Sequence, residues 1–90
     1  MSARGISVRV RYFAWVRERV GKTEEDVSPP AGVTTVGGLM DWLAGRGEEY
    51  AHAFENRNII RAAIDRTHVP PETAIEGAAE IAFFPPMTGG

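Results

Sequence analysis

A chain of 90 residues with 10 Lys and Arg against 12 Asp and Glu, formal charge -2, makes one small domain with neither a nucleic-acid footprint nor a polybasic membrane patch. It has no cysteine, which excludes disulfides, thiolate metal sites and cysteine nucleophiles, so any sulfur chemistry must use another group. Residues 1–5 do not read as a signal peptide and no run approaches a membrane span, so a cytoplasmic protein with no nucleic-acid or membrane partner is expected.

From Ile6 the chain alternates, with Ile6, Val8, Val10 and Tyr12 on one side and Ser7, Arg9 and Arg11 on the other, which predicts a half-buried strand. Phe13, Val16 and Val20 follow at helical spacing, and Gly21 stands where a helix would stop. Residues 23–27 read as a second strand. Its Glu24, Glu25 and Asp26 make it an edge, where a charge run is a solvated face that discourages sheet-to-sheet pairing. Pro29, Pro30 and Gly32 then break the chain. Thr34 or Thr35 caps the main helix, whose Val36, Leu39, Met40 and Leu43 form one apolar face, and Gly37-Gly38 reads as the start of that helix rather than a phosphate cradle. Tyr50 and Phe54 suggest a short helical piece on the same core. Residues 59–64 read as a third strand, residues 68–73 as a proline-containing loop, and residues 80–84 as the last strand.

This order favours an α+β fold, a mixed sheet covered by one main helix with short extra helices. The β-grasp arrangement is one such solution, and periodicity alone does not single it out. Side-chain chemistry is sparse: His52 and His68 have no metal-ligand spacing around them, so no metal site and no bound cofactor are expected.

The end of the chain, Phe83-Phe84-Pro85-Pro86-Met87-Thr88-Gly89-Gly90, is more specific. Pro85 and Pro86 cannot donate ladder hydrogen bonds, so the strand stops there and leaves the sheet in an extended direction. The six residues from Pro85 reach about 20 Å if fully extended at about 3.3 Å each. Gly89 and Gly90 carry no Cβ and can pass through a narrow channel. The Gly90 carboxylate is then the least hindered reactive group: it can attack the α-phosphate of ATP, and the resulting acyl-adenylate can be opened by an amine or a sulfur nucleophile. The expected division is a domain over residues 1–84 and a protruding tail over residues 85–90.

The closing Ala82-Phe83-Phe84-Pro85-Pro86-Met87-Thr88-Gly89-Gly90 is similar to an A-F-F-P-P-x-x-G-G ending. Phe13-Ala14-Trp15-Val16-Arg17-Glu18-Arg19-Val20-Gly21 is similar to F-A-x-x-R-E-x-x-G after a first strand, and Ala63-Ile64-Asp65 to A-V-N in a third. In these motifs the chain resembles the sulfur-carrier subunits of molybdopterin synthase, a ubiquitin-like β-grasp family, over essentially its whole length. The resemblance implies that an E1-like adenylyltransferase activates Gly90 with ATP and that a sulfur-donating enzyme supplies the sulfur of a C-terminal thiocarboxylate. It implies that the thiocarboxylate donates sulfur to cyclic pyranopterin monophosphate inside the large subunit, in a heterotetramer of two small and two large subunits. On this reading the chain is no enzyme by itself. Gly90 carries the adenylate and thiocarboxylate; Gly89, Thr88, Met87, Pro86 and Pro85 give it access. Phe84 and His68 are the expected partner interface, with a core aromatic and a solvated loop histidine as the alternatives. The family's G-D-E turn is here Gly77-Ala78-Ala79-Glu80, with glycine shifted one place. Trp15 lies off the Phe13, Val16, Val20 stripe and either covers the core edge or contacts a partner. A ubiquitin-like protein modifier, or a sulfur carrier for another pathway such as thiamine synthesis, is the alternative function.

Overall fold

A computed structural model describes residues 7–86. Strand β1 (Val8–Tyr12) buries Val8, Val10 and Tyr12 and turns Arg9 and Arg11 to the other face, as the two-residue period of a strand requires. Helix α1 (Ala14–Val20) buries Val16 and Val20, and it stops at Gly21 as expected. Gly21 takes φ +86° and donates its N–H to the Arg17 carbonyl at 2.8 Å, a left-handed cap that a side chain would strain.

Strand β2 (Glu24–Val27) pairs antiparallel with β1, Val8 facing Val27. Helix α2 (Val36–Ala44) is capped by Thr35, whose hydroxyl oxygen accepts the Gly38 N–H at 3.1 Å. Its buried face is Val36, Leu39, Met40 and Leu43, the spacing read from the sequence. Helix α3 (Glu48–Ala53) adds Tyr50 and Ala53, and Phe54 follows it into the core.

A 3-10 turn over Arg57–Ile59 delays the third strand, so β3 runs over Arg61–Ile64 instead of beginning at residue 59. The next segment corrects a second expectation. His68 lies in strand β4 (Thr67–Val69), not in a loop, because Asp65 and Arg66 turn the chain back in two residues. Both have positive φ, 48° and 75°, as a two-residue hairpin turn with right-handed twist demands. The Asp65 carboxylate also accepts the N–H groups of Ala79 and Glu80 at 3.1 and 2.9 Å, tying the hairpin to the start of β5 (Glu80–Phe84).

The sheet order is β2-β1-β5-β3-β4, with β1 and β5 parallel and the other pairs antiparallel. The mixed α+β architecture is therefore as expected, with five strands among the described residues where four were read. The last strand in sequence is the middle strand in space. The core fills one face of the sheet, from Val8, Val10, Tyr12, Ile81 and Phe83 to Leu39, Met40 and Leu43. Phe83 meets Phe54 edge-on, ring centres 5.3 Å apart, at its centre. Among the described residues, no helix is long and apolar enough to cross a membrane.

Candidate functional site

The tail root is set by β5. Held between β1 and β3, this strand ends at Phe84 in the middle of the sheet, and Pro85 and Pro86 follow it half-buried. Two ladders grip its last residues: Tyr12 faces Phe83 on one side and Arg61 faces Phe84 on the other. The Phe83 carbonyl also accepts the Phe13 N–H at 3.1 Å. A chain segment leaving from a central strand with both neighbours in place starts from a fixed point and a fixed direction. Met87, Thr88, Gly89 and Gly90 lie outside the described residues.

Alternation along β5 puts Phe83 in the core and Phe84 on the face the helices leave open. His68 reaches the same face from β4, since it pairs with Ala63, which pairs with Ala82. The rings of His68 and Phe84 lie 5.6 Å apart, tilted by 54°. The two expected interface residues, 16 positions apart in sequence, are thus neighbours beside the tail root.

Phe13 belongs to this patch and was misread as part of the α1 core stripe. It is 38% exposed, with extended backbone (φ -130°, ψ 152°), and continues the Arg9, Arg11 side of β1. The Arg11 guanidinium lies 5.3 Å from its ring centre. The signal was present: extending the two-residue alternation one step past Tyr12 puts Phe13 with the arginines. Trp15, by contrast, is half-buried against the core edge, with the Arg19 guanidinium 4.6 Å from its ring.

The other half of the open face is charged. Arg9 pairs with Asp26 at 2.8 Å and Glu24 at 3.1 Å; Arg11 pairs with Glu24 at 3.3 Å and Glu80 at 3.6 Å. The Arg9 hydrogen bond holds the Asp26 carboxyl below its ordinary range, against a smaller effect of burial. This face therefore grades from a charge ladder across β2 and β1 to an aromatic patch where the tail departs, an apolar centre with a polar rim suited to a protein partner.

Glu25 departs from the solvated run assigned to it. It points to the core side and accepts hydrogen bonds from the Tyr12 and Tyr50 hydroxyls at 2.8 and 2.7 Å. Arg46 approaches it at 3.5 Å, and Lys22 donates to the Tyr50 oxygen at 3.0 Å. This cluster fastens β2 to α3 on the core side of the sheet, the face opposite Phe84. Among the described residues, no three His, Asp or Glu side chains gather to hold a metal ion.

A model described as the ThiS family matches residues 10–90. The chain is 36% identical over 87 residues to the molybdopterin synthase sulfur carrier subunit of Haemophilus influenzae, covering 92% of this chain and 99% of that protein. It is also 36% identical over 83 residues to the protein of the same description from Escherichia coli, with the same coverage. Among solved structures, the small archaeal modifier protein 1 of Haloferax volcanii superposes with a TM-score of 0.69 at 26% identity, over 92% of this chain and all of that one. A protein of Pyrococcus furiosus described as a putative molybdopterin converting factor, subunit 1, superposes with a TM-score of 0.72 at 23% identity, over 91% of this chain and 99% of that one, a likeness of fold.

Proposed function

The chain belongs to the ThiS family, and from that premise we propose that it is the sulfur-carrier subunit of a molybdopterin synthase. The observation that carries the proposal is the 36% identity to two such subunits over nearly the full length of both partners. The placement of the tail root supports it, because a carrier must present its end at a fixed point beside a surface its partner can hold.

In this reading Gly90 is the reactive end and residues 85–90 are the arm that delivers it. A Gly90 carboxylate oxygen attacks the α-phosphate of ATP bound to an E1-like enzyme, and pyrophosphate leaves. A persulfide on a sulfur-donating enzyme then attacks the acyl carbon, AMP leaves, and an external thiol reduces the resulting acyl disulfide, so that sulfur takes the place of one carboxylate oxygen and the donor thiol is released. The thiocarboxylate sulfur attacks cyclic pyranopterin monophosphate in the large subunit, and hydrolysis of the resulting thioester restores the Gly90 carboxylate. The absence of cysteine agrees with sulfur held on the main chain. Gly89 has no side chain to obstruct the passage of the end. Phe84, His68 and Phe13 are the surface on which the large subunit seats itself, burying the aromatic patch at the tail root.

The test is the intact mass of the protein after incubation with ATP, an E1-like activating enzyme and a sulfur source. The expected result is a gain equal to one oxygen-to-sulfur exchange, lost when Gly90 is removed. No exchange with partners shown to be active on a known carrier would overturn the reading.

A second reading is favoured by the 26% identity to the small archaeal modifier protein 1. The same Gly90 adenylate, captured by a lysine amine, would give an isopeptide bond. Recovery of Gly90 joined to lysines of other proteins distinguishes that outcome from sulfur transfer.

A further inference from the structure

The register carries the open face further across the sheet than the aromatic patch. Arg61 of β3 faces Phe84 of β5 across an antiparallel ladder, so the two side chains share a face with Cβ atoms about 5 Å apart. Arg61 is exposed. Two residues before it, at most about 7 Å away along the chain, stands Ile59, 41% exposed. Phe13 and Ile59 are the large apolar side chains left exposed among the described residues. They flank opposite sides of the point where the chain leaves β5, Phe13 following β1 and Ile59 preceding β3.

Single exposed apolar residues are ordinary, whereas several around one chain exit make a patch that marks a contact surface. Ile59 has no packing task to hold it there. Its turn is closed by the backbone, with the Ile59 N–H donating to the Asn56 carbonyl at 3.1 Å and the Ile60 N–H to the Arg57 carbonyl at 3.0 Å, and it is Ile60 that enters the core. The charges divide in the same way. The register puts three arginines on this face: Arg9, Arg11 and Arg61. Arg9 and Arg11 are met by Glu24, Asp26 and Glu80 of their own sheet. Among the described residues no acid pairs with Arg61. Those three acids are engaged by the other two arginines, which leaves the tail-root side with a cation that lacks a counter-charge among the described residues.

We propose that the surface holding the tail root extends over Arg61 and Ile59, and that the large subunit sets a carboxylate side chain against Arg61 beside an apolar pocket for Ile59. The proposal rests on the sulfur-carrier reading and names the chemistry of the partner's surface. A guanidinium meets a carboxylate through two parallel N–H bonds, which fix orientation as well as distance. With Phe13 on one side of Phe84 and Arg61 and Ile59 on the other, the partner holds the root from both sides. A root held on one side only can tilt, and a tilt there is multiplied along an arm of about 20 Å. A charge at the margin of the patch also steers the encounter, so this pair acts on the association rate as well as on the strength of the complex.

The test is calorimetric binding of the full chain to the large subunit of the same organism's molybdopterin synthase, at about 50 and about 300 mM salt. Arg61→Glu is expected to weaken binding at least about tenfold at the lower salt, Arg61→Lys to lose less, and Ile59→Ser to lose about threefold. Wild-type binding should weaken as salt rises, and Arg61→Glu should flatten or reverse that dependence, a change that a merely structural role would not produce. Both residues are exposed, so the melting temperatures of the variants should match the wild type. Sulfur loading of Arg61→Glu by the activating enzyme should be unimpaired. Binding of Arg61→Glu within about twofold of wild type, or with the same salt dependence, would overturn the proposal. Impaired loading with undiminished binding would assign Arg61 to the activating enzyme and overturn it equally. A wild type that loads sulfur and binds, matched by Arg61→Glu in both, sinks this surface alone; a wild type that does neither removes the carrier reading and the proposal with it.

Discussion

Phe83 and Phe84 are adjacent and chemically identical, yet the strand period gives them opposite tasks. Phe83 is fully buried against Phe54, so Phe83→Ala is expected to cost about 3–5 kcal/mol in urea unfolding. Phe84→Ala should leave the unfolding midpoint nearly unchanged and weaken binding of the large subunit at least about tenfold by calorimetry. Equal losses of stability in the two variants would place Phe84 in the core and remove it from the interface. Glu25 makes a second contrast, with its own charged neighbours. Burial works to raise its pKa, but the hydrogen bonds from Tyr50 and Tyr12, with Arg46 and Lys22 nearby, outweigh burial and hold it below the ordinary value. A depressed folded-state pKa contributes stability above the unfolded value of about 4.3 that is lost as pH falls through the folded one. Glu25→Gln should therefore lose about 1–2 kcal/mol near neutral pH and show a shallower decline of stability on acidification below about pH 4. An unchanged acid slope would show that this pair of hydroxyls does not hold the carboxylate. The burial of Tyr12 and its bond to Glu25 raise the Tyr12 pKa, so its hydroxyl remains a donor throughout this range.

At the scale of elements, how well each could be read depended on whether its determinants were local. Helix α2 was legible because its cap and its apolar face both lie within a dozen residues. Thr35→Ala, which orphans the Gly38 N–H, is expected to cost about 1 kcal/mol in thermal unfolding, and no change would mean that another group satisfies that donor. The β3–β4 hairpin was not legible. Its turn uses Asp65 and Arg66 at positive φ where glycine or asparagine is the usual signal, and the Asp65 carboxylate is held by two N–H groups at least 14 residues away. The inward turn of Glu25 was hidden for a related reason. Its partners come from β1 and α3, and from the sequence alone it is one acid among three in a row.

At the scale of the molecule, β5 is the mechanical centre, a strand paired on both sides up to its last residue, Phe84. Removing Gly89 and Gly90 should therefore leave the melting temperature unchanged while abolishing acceptance of sulfur in the mass assay. A lowered melting temperature would mean that these residues are part of the folded body. The purified chain alone should show no turnover of the pterin substrate even when its end carries sulfur, since the reading assigns the pocket to the large subunit. Sulfuration by the isolated chain would refute that division of labour.

By itself, the sequence determined the α+β class, the main helix and its face, and the final strand with the prolines that end it. Each of these is encoded by a local period or by the fixed φ of proline, neither of which needs a distant partner. Only the tertiary structure decided that the last strand lies in the middle of the sheet and that Phe13 and His68 join Phe84 at the tail root. It also decided that Glu25 faces inward, bonded to Tyr12 and Tyr50. These follow from strand order and register, which bring residues tens of positions apart into contact through pairings that no local pattern specifies.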